Sequence, residues 1–128
     1  MKENALVLFA CLLMATLGLP KAGAQDLEKC VSVEVPETCQ PAPRLTVNAK
    51  SKNVAPPNLC VETGKAVEIN VVPGSTSARI VSKEGAEWLS GEGKSFSIDV
   101  PASATGRHDY AVIFEDGTCL DPAFVGLD

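Results

Sequence analysis

The stretch Gly106-Arg107-His108-Asp109-Tyr110-Ala111-Val112-Ile113-Phe114-Glu115-Asp116-Gly117-Thr118-Cys119-Leu120-Asp121-Pro122-Ala123-Phe124-Val125-Gly126-Leu127-Asp128 decides the fold. It reads as two strands joined by a tight turn at Asp116-Gly117, a dipeptide suited to hairpin turns that need a positive φ. A cysteine follows the turn. His108, Tyr110, Val112 and Phe114 share one parity, so they fall on one face of a strand, with His108 at its start facing a core.

Upstream, helical periodicity is absent and short alternating runs recur between turn signals. Arg44–Ala49 alternates through Leu45, Val47 and Ala49. Asn58–Glu62 and Lys65–Val72 follow a polar stretch at Lys50–Pro57 and are split by Thr63-Gly64. In the second of them Val67, Ile69 and Val71 oppose Glu68 and Asn70. Ala78–Ser82 is a further short strand, and Phe96, Ile98 and Val100 alternate with Ser95, Ser97 and Asp99. Many short strands in a chain of this length predict an all-β, antiparallel sandwich over residues 44–128.

The first residues predict export. Lys2 precedes an apolar run from Ala5 to Leu19, and Ala22-Gly23-Ala24 is a small-residue cleavage site, so residues 1–24 read as a signal peptide. The run is shorter than the roughly 20 residues a spanning helix needs, so no membrane insertion of the mature chain is expected. Leu8-Phe9-Ala10-Cys11 only faintly matches a lipoprotein signal, since the apolar run continues past Cys11. The full chain carries a net charge of −5. Without Lys2, Glu3 and Lys21 it is slightly more acidic, and no cluster of Lys or Arg survives to hold a nucleic acid. A periplasmic or secreted protein is the expectation.

Of five cysteines, Cys30, Cys39, Cys60 and Cys119 lie beyond the leader. An even number behind a signal peptide predicts two disulfides. Three pairings are possible. The one expected is a local Cys30–Cys39 clip within an N-terminal extension, residues 25–43, and a long-range Cys60–Cys119 staple. With no C-x-x-C spacing and a single histidine, a zinc site is not expected.

The closing motif Gly106-x-His108-x-Tyr110-x-Val112, the Asp116-Gly117 turn and Leu120-Asp121-Pro122-x-Phe124-Val125 resemble the C-terminal part of cupredoxin-like domains that lack a metal. Val61-x-x-Gly64-x-x-Val67, the isolated Trp88-Leu89 and Phe96-x-Ile98-x-Val100 match in order and spacing. The resemblance covers about Arg44–Leu127 and implies an all-β, antiparallel Greek-key β-sandwich of the cupredoxin-like or immunoglobulin-like kind without implying a function. Copper-binding members would need a Cys, two His and usually a Met. Cys119 falls near the cysteine position, but Leu120–Phe124 supplies no His or Met, and both methionines, Met1 and Met14, lie in the leader. No cofactor, metal or catalytic residue is therefore assigned. No G-x-S-x-G element is present, and Glu84, Glu87 and Glu92 read as a solvated acidic loop.

The function expected is a non-enzymatic binding or structural module with an unknown protein or small-ligand partner. Trp88, flanked by Gly85, Gly91 and Gly93, is the candidate anchor, with Glu87 and Leu89 beside it. One alternative is a copper-handling or redox protein using Cys119 and His108. Another is an inhibitor of a secreted hydrolase that presents the Glu84–Gly93 loop.

Overall fold

The computed structural model describes residues 30–128; the expected signal peptide lies outside them. Twelve strands form two stacked sheets, the two-sheet β-sandwich that the cupredoxin resemblance implies. Among the described residues, no helix is long and apolar enough to cross a membrane.

The smaller sheet contains β3 (Arg44–Asn48), β4 (Asn53–Ala55), β6 (Ala66–Val72) and β9 (Ser95–Asp99), in the order β4-β3-β6-β9. In the larger sheet the long β10 (Gly106–Phe114) is central. On one side it pairs with β7 (Ala78–Ser82), which pairs with β8 (Ser90–Gly93). On the other side lie β11 (Cys119–Asp121) and β12 (Ala123–Leu127), which are one strand interrupted at Pro122. Proline has no N–H to give to a ladder, so the break falls there. Beyond β12 comes β5 (Asn58–Glu62) and then β2 (Gln40–Pro41), while β1 (Val31–Ser32) flanks β11.

The alternating positions meet between the sheets. Leu45, Val47, Val67, Ile69, Val71 and Ile98 come from the smaller sheet; Leu59, Ile80, Tyr110, Val112, Leu120 and Phe124 come from the larger. Burying an aliphatic side chain of this kind stabilises by about 1.5–3 kcal/mol.

Four of the ten strand pairings are parallel: β1 with β11, β2 with β5, β3 with β6 and β5 with β12. The sandwich is therefore mixed rather than purely antiparallel. Asn58–Glu62 and the strand after Thr63-Gly64 do not form a hairpin. The turn carries the chain from the larger sheet to the smaller one, so β5 and β6 each find partners elsewhere. The polar Lys50–Pro57 stretch contributes β4, a strand too short to show alternation.

The closing hairpin turns through Glu115–Gly117. Phe114 and Thr118 exchange a backbone bond (Phe114 N to Thr118 O, 2.8 Å) and Gly117 takes φ of 89°, the left-handed position of a three-residue hairpin loop. Asp116 Oδ1 accepts from Thr118 N and Thr118 Oγ1. Lys52, at φ 57°, reaches across from the β3–β4 turn. Its Nζ donates to Asp116 Oδ2 at 2.7 Å and sits 4.6 Å from the Phe114 ring centroid. This contact joins the two sheets at one end.

The disulfides are Cys30–Cys119 and Cys39–Cys60, which corrects the expected Cys30–Cys39 and Cys60–Cys119 pairs. Strand register gives the reason. Val31 lies opposite Leu120, which sets Cys30 against Cys119, and Pro41 lies opposite Cys60, so Cys39, two positions before it, reaches Cys60 diagonally across the pair with the Cα atoms 5.0 Å apart. Residues 30–43 are thus not held by a clip of their own. They form a strap covalently joined to the larger sheet at both ends. Asn58 Nδ2 donates to Pro36 O at 2.8 Å, and Asn58 is the cross-strand neighbour of Ala123, so the strap passes over the outer face there. Ala111 and Ala123, which point to that face, are fully buried.

Two predictions follow from these contacts. The cystines close separations of 89 and 21 residues, so on the chain-entropy model they stabilise by about 4.6 and 3.3 kcal/mol. Denaturant unfolding should therefore show a larger loss for C30A/C119A than for C39A/C60A, and non-reduced peptide mapping should recover the two crosslinked pairs named here. The Lys52 bond and the two Thr118 bonds hold the Asp116 carboxyl well below its ordinary range, and bonds from Ser77 lower that of Glu115. A depressed native pKa stabilises above the unfolded value and is lost as pH falls through the native one. The melting temperature should fall below about pH 4, and more shallowly in Asp116→Asn than in the parent.

Candidate functional site

The end of the sandwich that carries Trp88 is shaped by a serine. The buried hydroxyl of Ser82 accepts the backbone N–H groups of Glu84 and Ala86 at 3.0 and 3.1 Å. This local bonding turns the chain out of β7 and diverts it from continuing the sheet. Leu89 N closes the turn on Ala86 O, and Ser90 Oγ donates to Glu87 O.

The turn delivers three residues to three environments. Leu89 is 1 % exposed and belongs to the core, which corrects its place beside Trp88 as a partner-binding residue: the apolar side chain is consumed by packing. Glu87 is exposed. Trp88 is half-buried, with its ring edge-on to His108 (centroids 5.3 Å, 83°) and tilted against Phe124 (5.8 Å). Phe124 also meets His108 and Tyr110. Aromatic pairs at these separations add about 0.5–1.5 kcal/mol each beyond their area burial.

His108 faces inward, as its parity with Tyr110 requires, and its side chain is 15 % exposed. Its Nε2 lies 2.9 Å from Ala104 O and its Nδ1 3.4 Å from Glu84 Oε1, so both ring nitrogens face oxygen acceptors. Gly126 makes the first contact available, because a Cβ there would run into the Ala104 carbonyl. Glu84 Oε2 accepts the backbone N–H of Asp109 at 3.2 Å. Of the three acidic residues around Trp88, only Glu84 joins this cluster; Glu92 stands on β8 opposite Arg79.

The copper alternative does not fit these residues. The Cys119 sulfur is bonded to Cys30. Cys119 is the register partner of Ile113, five positions along β10 from His108, which is about 17 Å of strand and the opposite face. Among the described residues no group of three or more His, Cys, Asp or Glu could hold a metal ion. The inhibitor alternative also changes, because Ser90–Gly93 of the expected protruding loop is a strand paired with β7 and Leu89 lies in the core.

A second constellation lies on the outer face of the larger sheet. Arg107, Asp109 and Asp121 point from the closing strands to the outer face, opposite in parity to His108, Tyr110 and Leu120. Lys83 follows β7. Lys83 Nζ lies 3.5 Å from Asp121 Oδ2 and Arg107 Nε 3.0 Å from Asp109 Oδ1. The signal was present: within the closing hairpin these are the charged residues of the non-core parity.

No protein family and no curated protein matches this sequence. Among solved structures the chain is similar to a copper-containing nitrite reductase from Thermus scotoductus. The identity is 18 % and the TM-score 0.44, with 80 % of this chain and 26 % of that chain covered. The chain spans about a quarter of that enzyme's length, and no residue role passes between the two.

Tyr110, the chain's one tyrosine, reports on the integrity of this end. It is 1 % exposed, its hydroxyl has no hydrogen-bond partner among the described residues, and burial pushes its pKa well above the ordinary value of 10. A raised native pKa stabilises fully below the unfolded value and the contribution is lost as pH rises through the native one. An alkaline titration followed by tyrosinate absorbance should stay flat past pH 10 and rise only together with loss of the β circular dichroism signal. A simple rise centred near pH 10 in the folded protein would place the ring outside the core.

Proposed function

We propose that this protein is a non-catalytic binding module of an extracytoplasmic compartment, periplasmic or secreted, and that it docks a protein or small-ligand partner through the Trp88 end of the sandwich. The observation that supports this best is the seating of Trp88. Its ring is held from behind by His108 and Phe124 and from below by a turn that Ser82 fixes, yet part of it remains open to solvent. A large aromatic with its rotamer already restrained loses little entropy on docking, which is what interface anchors share. The exposed carboxylate of Glu87 beside it suits a partner with cationic groups and opposes nucleic acid.

The two cystines support this compartment, since disulfides persist where thiols are not kept reduced. The module reading over an enzyme rests on how the charged groups near Trp88 are used. Glu84 is spent on a histidine nitrogen and a backbone N–H, and His108 on a backbone carbonyl, contacts that hold structure rather than leave an acid and a base facing a common space.

Because Trp88 is the chain's one tryptophan, its fluorescence reads the site directly. Partners crosslinked in the exported fraction, once purified and titrated back, should shift Trp88 emission saturably. Glu87→Lys, which leaves the core untouched, should weaken binding severalfold. Emission that does not respond to a bound partner, or specific turnover abolished by His108→Ala, would overturn the reading.

A further inference from the structure

The outer face of the larger sheet carries a cleft of about 300 Å³. Its charged lining is Lys83, Arg107, Asp109 and Asp121, and the strap supplies one wall through Val33 and Val35. The volume is at the lower limit of ordinary small-molecule sites, and the exposed lining is chiefly polar, with Val33 and Val35 as its smaller apolar part.

The charges are mixed, two cations and two carboxylates, and each pair keeps capacity for a ligand. Arg107 uses Nε toward Asp109. The terminal N–H groups of its guanidinium have no hydrogen-bond partner among the described residues, which leaves a fork of the shape that takes a carboxylate. Lys83 Nζ stands 3.5 Å from Asp121 Oδ2, well beyond the roughly 2.7–2.9 Å of a strong charge-assisted bond. Asp121 is nevertheless held in place, since its Oδ1 accepts Val33 N at 3.0 Å.

We infer that this cleft binds a zwitterion of amino-acid to dipeptide size with small apolar side chains. A simple anion entering here meets Asp109 and Asp121, and a simple cation meets Lys83 and Arg107. A molecule carrying both charges sets its carboxylate against Arg107 and Lys83 and its ammonium against Asp121 and Asp109, with its side chain on Val33 and Val35. The strap wall is fixed beforehand by the Cys30–Cys119 bond and the Val33–Asp121 bond, so little ordering remains to be done on binding. The inference stands apart from the Trp88 surface: either can fail without the other.

The test is a ¹⁵N chemical-shift titration of the disulfide-intact protein with alanyl-alanine, carried into the millimolar range. N-acetyl-alanyl-alanine amide, propionate and propylamine serve as parallel probes. Saturable shifts at Val33, Asp109 and Asp121 are expected for the free dipeptide, and at least about tenfold weaker binding by each of the other three. Arg107→Gln changes an exposed side chain, and Asp121→Asn keeps the oxygen that accepts Val33 N. Each should therefore melt like the parent while losing about tenfold in affinity. The inference is overturned if no shift saturates, if the blocked dipeptide binds equally well, or if both folded variants bind like the parent. Equal binding of propionate alone would make the cleft an anion site and overturn it as well.

Discussion

The bond between Cys30 and Cys119 is the constraint on which the outer face depends. It closes 89 residues of sequence and brings the strap beside the closing strand at the one place where that strand is broken. Pro122 splits the strand into β11 and β12, and the two halves take different neighbours on the same side, β1 for the first and β5 for the second. Without the strap, the edge of β11 would be open, and the small buried residues Ala111 and Ala123 would lie under water. A sheet that buries alanine on its second face needs a cover, and the two cystines keep the cover there.

The inner face follows a different logic. Its positions are filled by branched aliphatic and aromatic residues in regular alternation, and the Tyr110 hydroxyl buried among them stays neutral. Toward the end of the sandwich the filling becomes aromatic and then polar: Phe124, His108, Trp88, Glu84. That gradient from sealed core to open rim places a restrained ring at the surface with carboxylates around it.

Much of this was legible in the sequence, and what was not has physical reasons. Val67, Ile69 and Val71, or Tyr110, Val112 and Phe114, announce strands and their inward faces, because alternation is a local property. Sheet membership is not local. Glu62-Thr63-Gly64-Lys65 reads as a hairpin turn, yet it crosses between sheets, and only the partners of β5 and β6 decide that. Disulfide pairing is not local for the same reason. Only eight residues lie between Cys30 and Cys39, but parallel pairing against β11 and β5 carries each to a different partner. The glycines around Trp88 suggest a bend that leaves its ring partly open, and Leu89, its sequence neighbour, reads as part of the same surface. The Ser82 hydroxyl, which carries no sequence signature for such a role, tightens that loop and turns Leu89 inward.

The two candidate surfaces belong to one strand. Along β10, alternation sends His108 inward toward Trp88 and sends Arg107 and Asp109 outward to the cleft beside the strap. Glu84 touches both sides, one carboxylate oxygen near the His108 ring and the other accepting the Asp109 backbone N–H. The next residue back, Lys83, donates its own backbone N–H to Asp109 O and places its ammonium on the cleft. The Ser82-shaped turn therefore anchors at once the ring that projects from the rim and two of the charges that line the cleft. A shift of that turn disturbs both, since Lys83 is tied to Asp109 backbone to backbone and the Glu84 carboxylate is shared between the His108 ring and the Asp109 N–H. The physical link between an end of the sandwich and an outer face is three consecutive residues, Ser82, Lys83 and Glu84.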